Sequence, residues 1–195
     1  MVRDLKKKHK LKIGLLGGTF NPPHKGHLYI SKDVLKRFQL DCVWWIVTSQ
    51  NPLKEIKAPL FKHRIELCNQ IIDSEKIKAL YLEKRTCSNK TIDLLRFLYE
   101  QHPKNDYHWI MGSDSLNEFD QWDEWQNILH SIKIIIYDRP KCLYKEIKNC
   151  IDPVWIKYKK DKKDYFISSL PAWTLVESSA LNISSTEIRN QSEKT

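Results

Sequence analysis

Eleven consecutive residues, Gly17-Gly18-Thr19-Phe20-Asn21-Pro22-Pro23-His24-Lys25-Gly26-His27, hold the groups best suited to chemistry in this 195-residue chain. The two glycines allow the backbone to approach a phosphate closely, and a helix beginning just beyond them offers N–H groups to an anion. His24 and His27, three positions apart at that helix start, point the same way. Two imidazoles and the positive end of a helix converging on one spot would stabilise negative charge growing on phosphoryl oxygens. Taken singly, each piece has a plainer meaning: a Gly-Gly turn, a Pro-Pro junction, two surface histidines. The histidine pair lacks the further nearby ligand that zinc requires, so no metal is assigned to it. No Gly-Lys-Ser/Thr follows, which excludes a Walker A loop.

Two further segments carry similar potential. Near the C-terminus, Ile183-Ser184-Ser185-Thr186-Glu187-Ile188-Arg189 reads as a helix start, with Ser184 or Ser185 as N-cap and Glu187 complementing the dipole. Its hydroxyls and the fork of Arg189 suit phosphate oxygens, although the same residues also make an ordinary capped helix. In mid-chain stands Trp109-Ile110-Met111-Gly112-Ser113-Asp114-Ser115-Leu116, followed by Phe119 and Trp122. Gly112 lets a ligand lie on a strand end and Asp114 is placed to accept from a sugar hydroxyl. A helix cap at Asp114 and a core position for Trp122 are the structural alternatives.

The elements that must position these groups alternate in type. Short β-branched runs at 11–16, 42–48, 77–82, 107–111 and 132–137 read as strands, and the stretches 26–38, 60–72, 92–102 and 117–129 between them read as helices. Such alternation predicts an α/β, Rossmann-like fold with an open, mostly parallel sheet and helices on both faces. The tail is less regular: 143–150 has a helical pattern, 165–168 fits neither type, 173–177 reads as a last strand and 184–190 as a helix. Residues 1–10 form a basic N-terminal tail ahead of a single domain over 11–195. In an open sheet of this kind ligands lie beyond the carboxyl ends of the strands, which is where the segments above fall.

Composition narrows the class. Hydrophobic residues make up 41% and charged residues 29%, the balance of a globular chain. The net charge of +9 is local: residues 1–12 hold six cations against one acid, residues 141–163 hold eight lysines against three acids, and the rest is nearly neutral. Neither basic segment interleaves its charge with stacking aromatics, so no nucleic-acid partner is expected. Five scattered cysteines with no Cys-x-x-Cys pair point to reduced thiols and a cytoplasmic protein. No apolar run reaches secretory or transmembrane length, so no membrane partner is expected either. Homo-oligomerisation is left open.

As a whole, the 17–27 segment closely resembles the signature of the HxGH nucleotidyltransferase superfamily, in the long form of the bacterial nicotinate-nucleotide adenylyltransferases. The 183–189 segment is similar to that superfamily's Ile-Ser-Ser-Thr-x-x-Arg, and 112–116 with Trp122 to its Gly-x-Asp-Ser-Leu…Trp. The resemblance runs from about residue 13 to 189 and implies transfer of AMP from ATP to nicotinate mononucleotide, with Mg2+ arriving on the ATP. It implies that His24 and His27 are catalytic. On this resemblance Gly17, Gly18, Thr19 and Phe20 bind ATP with the two histidines, and Ser184, Ser185, Thr186 and Arg189 complete the triphosphate cradle. Lys54, Thr91, Gly112, Asp114, Trp122 and Arg139 would serve the acceptor, with Trp122 stacking on the pyridine ring. Thr91 as N-cap of the 92–102 helix, with Lys90 as a mobile cation beside it, would favour a carboxylate on that ring. Arg64 also matches a family arginine, but a surface salt bridge explains it as well. Three departures stand out: Asn89-Lys90-Thr91 where relatives carry aromatic-Thr, a short C-terminus after Arg189, and the extra basic tail. The rivals are another acceptor such as phosphopantetheine, a cytidylyltransferase, and a nucleic-acid-binding protein with a vestigial nucleotide fold.

Overall fold

A computed structural model describes residues 10–49, 60–138 and 153–177. Residues 1–9 of the basic tail, the 143–150 stretch and the 184–190 stretch expected to be a helix lie outside the described residues. In chain order the elements are β1 (Lys12–Gly18), α1 (Lys25–Arg37), β2 (Cys42–Val47), α2 (Phe61–Ile71), β3 (Ile77–Leu80) and α3 (Glu83–Thr86). Then come α4 (Thr91–Gln101), β4 (Asp106–Gly112), the 3-10 helix η1 (Ser113–Gln121), α5 (Trp125–Ser131) and β5 (Lys133–Tyr137). Two short helices, α6 (Pro153–Lys157) and α7 (Lys162–Ile167), precede β6 (Trp173–Val176).

The six strands form one all-parallel sheet in the order β3-β2-β1-β4-β5-β6. Both faces are covered, which is why the strands are almost continuously apolar. Alternate strand residues feed two cores. Ile13, Leu15, Trp109, Ile134 and Ile136 pack with Leu95 and Leu98 of α4, Leu129 of α5 and Trp155 of α6. Leu16, Val43, Trp45, Ile110 and Ile135 pack on the opposite face with Ile30 and Val34 of α1, Cys68 of α2 and Tyr165 of α7. Burial pushes the Cys42 thiol up to about 11 and the Cys68 thiol up to about 12, so neither is a reactive thiolate.

One expected element is different. The 117–129 stretch is not a single helix: η1 ends at Gln121 and α5 begins at Trp125, with Glu124 in the left-handed region at φ 51°. The cause is the spacing of its apolar residues. Leu116, Phe119 and Trp122 recur every third position, and three residues per turn stacks them on one ridge against the core. Phe119 meets Trp122 at 5.0 Å and Trp155 at 4.4 Å between ring centroids. The 165–168 stretch is resolved as the end of α7, whose N-cap Asp161 accepts from the Asp164 N–H at 2.8 Å. Thus the described part of the lysine-rich segment is folded: its lysines are mostly exposed while Trp155 and Tyr165 are buried.

At the amino end of the sheet, His108 is buried with Nδ1 2.7 Å from the Tyr165 hydroxyl. Burial pushes its imidazole down to about 4, aided by Lys133, Lys12 and Lys10 and opposed by Asp106. In the unfolded chain the ring takes its proton near the ordinary value of about 6.5. Its stabilising contribution is therefore complete above that value and is lost as pH falls toward about 4. The loss of melting temperature between about pH 7 and about pH 5 is expected to be smaller in His108→Asn than in the wild type. Equal losses in the two proteins would contradict this assignment.

Candidate active site

The sheet reverses its winding between β1 and β4, and a crevice opens beyond the carboxyl ends of strands at such a point. Leu16 pairs with Ile110, so Gly18 and Gly112, two positions further along each strand, leave the sheet side by side. The same edge is continued by Val47 opposite Gly18, by Tyr137 opposite Gly112 and by Val176 opposite Tyr137. The two described segments singled out in the sequence, 17–27 and 109–122, are thereby gathered at one edge.

His24 is the N-cap of α1, in extended backbone geometry, and is itself buried. The Gly26 N–H donates to its Nδ1 at 3.2 Å, while its own N–H donates to Nδ1 of His27 at 3.2 Å. This is a capping box built from two imidazoles, and it settles two helix-start donors that would otherwise need water or a ligand. It also sets the tautomers: with each Nδ1 an acceptor, the proton of each neutral ring sits on Nε2. The rings lie 3.8 Å apart between centroids. α1 is held in place by a relay in which Trp45 Nε1 donates to Ser31 Oγ at 2.7 Å and Ser31 donates to the His27 carbonyl at 2.8 Å. Tyr137 at the end of β5 donates to Asp33 of the same helix at 2.9 Å. Phe20, buried and at φ 48°, stacks on Trp45 at 5.1 Å and meets the His27 ring at 4.7 Å.

The glycines play a part that sequence reasoning did not foresee. None has positive φ. A Cβ at Gly17 would lie 2.6 Å from the indole of Trp109, whose ring fills the space the glycine leaves. Gly17 is thus required by packing inside the protein. At Gly18 a Cβ would meet only Phe20, at 3.4 Å, an ordinary contact.

The other half of the crevice lies on the α4 and η1 side. Gly112 ends β4, Ser113 is buried, and Asp114 stands exposed in the first turn of η1. Trp122 is half-buried, edge-on to Trp109 at 6.0 Å. Thr91 is the first residue of α4 and does not cap it: Lys90 occupies the N-cap position, and no side chain caps this helix. Nor is Lys90 unattached, since its Nζ pairs with Asp123 at 2.7 Å, next to Trp122. Arg96 of α4 reaches Glu124 of the same turn at 2.7 Å. Both pairs are exposed and individually weak, yet together they tie the Trp122 turn to α4. Lys54, Arg139, Ser184, Ser185, Thr186 and Arg189 lie outside the described residues.

Arg64 is not a surface ion pair. It is 1% exposed, and it donates to the backbone carbonyls of Thr19, of Thr48 at 2.7 Å and of Ser49 at 2.9 Å. Burial pushes its guanidinium down from the ordinary value, with Glu83 opposing. Among the described residues no group of three His, Cys, Asp or Glu could hold a metal ion, and no helix is long and apolar enough to cross a membrane.

The chain matches the family described as cytidylyltransferase-like over residues 15–191. It is 35% identical over 188 residues to a probable nicotinate-nucleotide adenylyltransferase of Mesorhizobium japonicum, covering 94% of this chain and 96% of the relative. It is 40% identical over 141 residues to a protein of the same description from Pelagibacter ubique, covering 72% and 78% of the two chains. Its fold is similar to a solved Plasmodium falciparum nicotinic acid mononucleotide adenylyltransferase complexed with NaAD. The TM-score is 0.69 at 24% identity, over 93% of this chain and 83% of that one.

Gly17→Ala is expected to lower stability by about 1–3 kcal/mol, because the added methyl overlaps the Trp109 ring. Gly18→Ala is expected to leave the melting temperature close to that of the wild type. Thermal unfolding of both variants checks the pair, and an equal response at the two positions would contradict the packing account.

Proposed function

The chain belongs to the cytidylyltransferase-like family, and from that premise we propose that it joins the AMP part of ATP to nicotinate mononucleotide, giving nicotinate adenine dinucleotide and pyrophosphate. The observation that carries this reading is the capping box, which leaves two imidazoles with Nε2 as donor at the carboxyl edge of the central strands. An oxygen of the acceptor's phosphate attacks the α-phosphorus of ATP in line. The bond from that phosphorus to the bridging α–β oxygen breaks, and pyrophosphate leaves with the electron pair. No protein base is needed, because a phosphate monoester is already an anion. His24 and His27 donate to oxygens whose charge grows in the transition state. The rest of the catalysis is positioning of two anionic reactants.

ATP lies along residues 17–27, with the 184–189 segment completing the cradle. Mg2+ enters on the triphosphate. The acceptor lies on the α4 and η1 side, with the ribose at Asp114 and the pyridine ring on Trp122; Lys54 and Arg139 are further residues proposed to bind it. The start of α4, which no side chain caps, supplies N–H groups and a positive helix end for the ring carboxylate. Unpaired thiols at Cys42, Cys68 and Cys87 support a reducing, cytoplasmic setting.

Pyrophosphate release with ATP and a panel of acceptors tests the reaction. Nicotinate mononucleotide is expected to be used in preference to nicotinamide mononucleotide. Trp122→Ala is expected to weaken both and leave their ratio nearly unchanged, since stacking does not read charge. Preference for an unrelated acceptor such as phosphopantetheine would overturn the assignment. His24→Asn separates capping from chemistry: asparagine is a good N-cap, so the fold is expected to survive while kcat falls by about a hundredfold or more. A variant with wild-type kcat would remove His24 from the catalytic assignment.

A further inference from the structure

Arg64 is a fully buried cation that the reaction above does not use. It stands in the first turn of α2 and reaches the ends of two neighbouring strands: the Thr19 carbonyl just past β1, and the Thr48 and Ser49 carbonyls just past β2. Among the described residues the last backbone link between those strands is the Thr48 N–H donating to the Gly18 carbonyl at 3.1 Å. Beyond that link the chains part, and the guanidinium joins them. Ser49 is gripped from its other side as well, its N–H donating to Glu83 Oε1 at 2.7 Å. Glu83 opens α3, directly after β3, so the carboxyl ends of β1, β2 and β3 are connected through Arg64 and Glu83.

Burying a guanidinium is costly, and an apolar side chain of similar volume would fill the space at lower cost. What it would not do is bind three carbonyls in a fixed planar fork. The fork dictates where Thr19 sits relative to β2, and Thr19 begins the segment that ends in the His24–His27 box. A shift of about 1 Å in a catalytic group can cost about a hundredfold in rate.

We propose that Arg64, braced by Glu83, is a positioning residue for the transfer: it clamps Thr19 to the end of β2 and thereby sets where His24 and His27 present their Nε2 donors. The proposal rests on the adenylyltransferase reading, and the test separates the two. Arg64→Lys keeps the charge but loses the fork. It is expected to lower kcat by about tenfold or more while both KM values change by less than about threefold. In a His24→Asn background the same change is expected to cost a clearly smaller factor than in the wild type, because one of the two rings it positions is already removed. A purely structural role predicts instead the same fold-loss in both backgrounds. If Arg64→Lys does not fold, Glu83→Ala carries the test, with kcat expected to fall about threefold to tenfold and Glu83→Gln, which keeps an acceptor for Ser49, expected to recover it. The clamp is also read without turnover, from the imidazole 1H–13C resonances of His24 and His27. Arg64→Lys, or Glu83→Ala, should move both while His130 stays in place. Unmoved His24 and His27 signals, wild-type kcat or equal losses in the two backgrounds overturn the clamp. Absence of pyrophosphate release by the wild type overturns the reaction instead, and the resonances still decide the clamp.

Discussion

The organisation of the site depends on one small arrangement, the pair of hydrogen bonds in which backbone N–H groups at the start of α1 donate to Nδ1 of His24 and His27. A helix start must satisfy its first N–H groups, usually with a serine, threonine or acidic side chain. Here imidazoles take that place, and the same bonds that cap the helix fix the rings' rotation and leave Nε2 as the donor of each. The same two rings cap the helix through Nδ1 and, in the proposed reaction, donate to phosphoryl oxygens through Nε2. The helix that presents the rings is itself fastened to β2 through Trp45 and Ser31 and to β5 through Tyr137 and Asp33.

Around that point the fold supplies an edge. Because β1 and β4 are neighbours at the centre of the sheet, loops from the two halves of the molecule open toward each other. The α1 side offers the histidines and Phe20, while the α4 side offers Asp114, Thr91 and Trp122. Trp109 of β4 spans the boundary, packed on Gly17 of β1 and against Trp122 at the end of η1. Two-sided access to one strand edge is what a reaction between two nucleotides requires.

Much of this was legible in the sequence. The alternation of apolar runs with helical stretches pointed to the strands and their mostly parallel pairing, because buried parallel strands are continuously apolar. The 17–27 segment pointed to the site because its residue types have few joint uses. Other features were hidden because they depend on neighbours distant in the chain. Gly17 read as a phosphate contact, whereas its missing side chain makes room for an indole ninety-two positions away. Arg64 read equally well as a surface ion pair, since nothing local announces that its partners are carbonyls of Thr19, Thr48 and Ser49. The three-residue spacing of Leu116, Phe119 and Trp122 was visible and would have distinguished η1 from an α-helix. Thr91 was read one position out of place, because a hydroxyl beside a helix start suggests a cap whether or not its backbone is already helical.

Through the helix cap, the fold determines which nitrogen of the His24 and His27 imidazoles, proposed to be catalytic, carries the proton. Long-range 1H–15N correlation spectra of the wild-type protein at neutral pH, with His24 and His27 assigned by single substitutions, measure this directly. The account predicts that both rings show an unprotonated, accepting Nδ1 and a protonated Nε2. A proton on Nδ1 of either ring would contradict it.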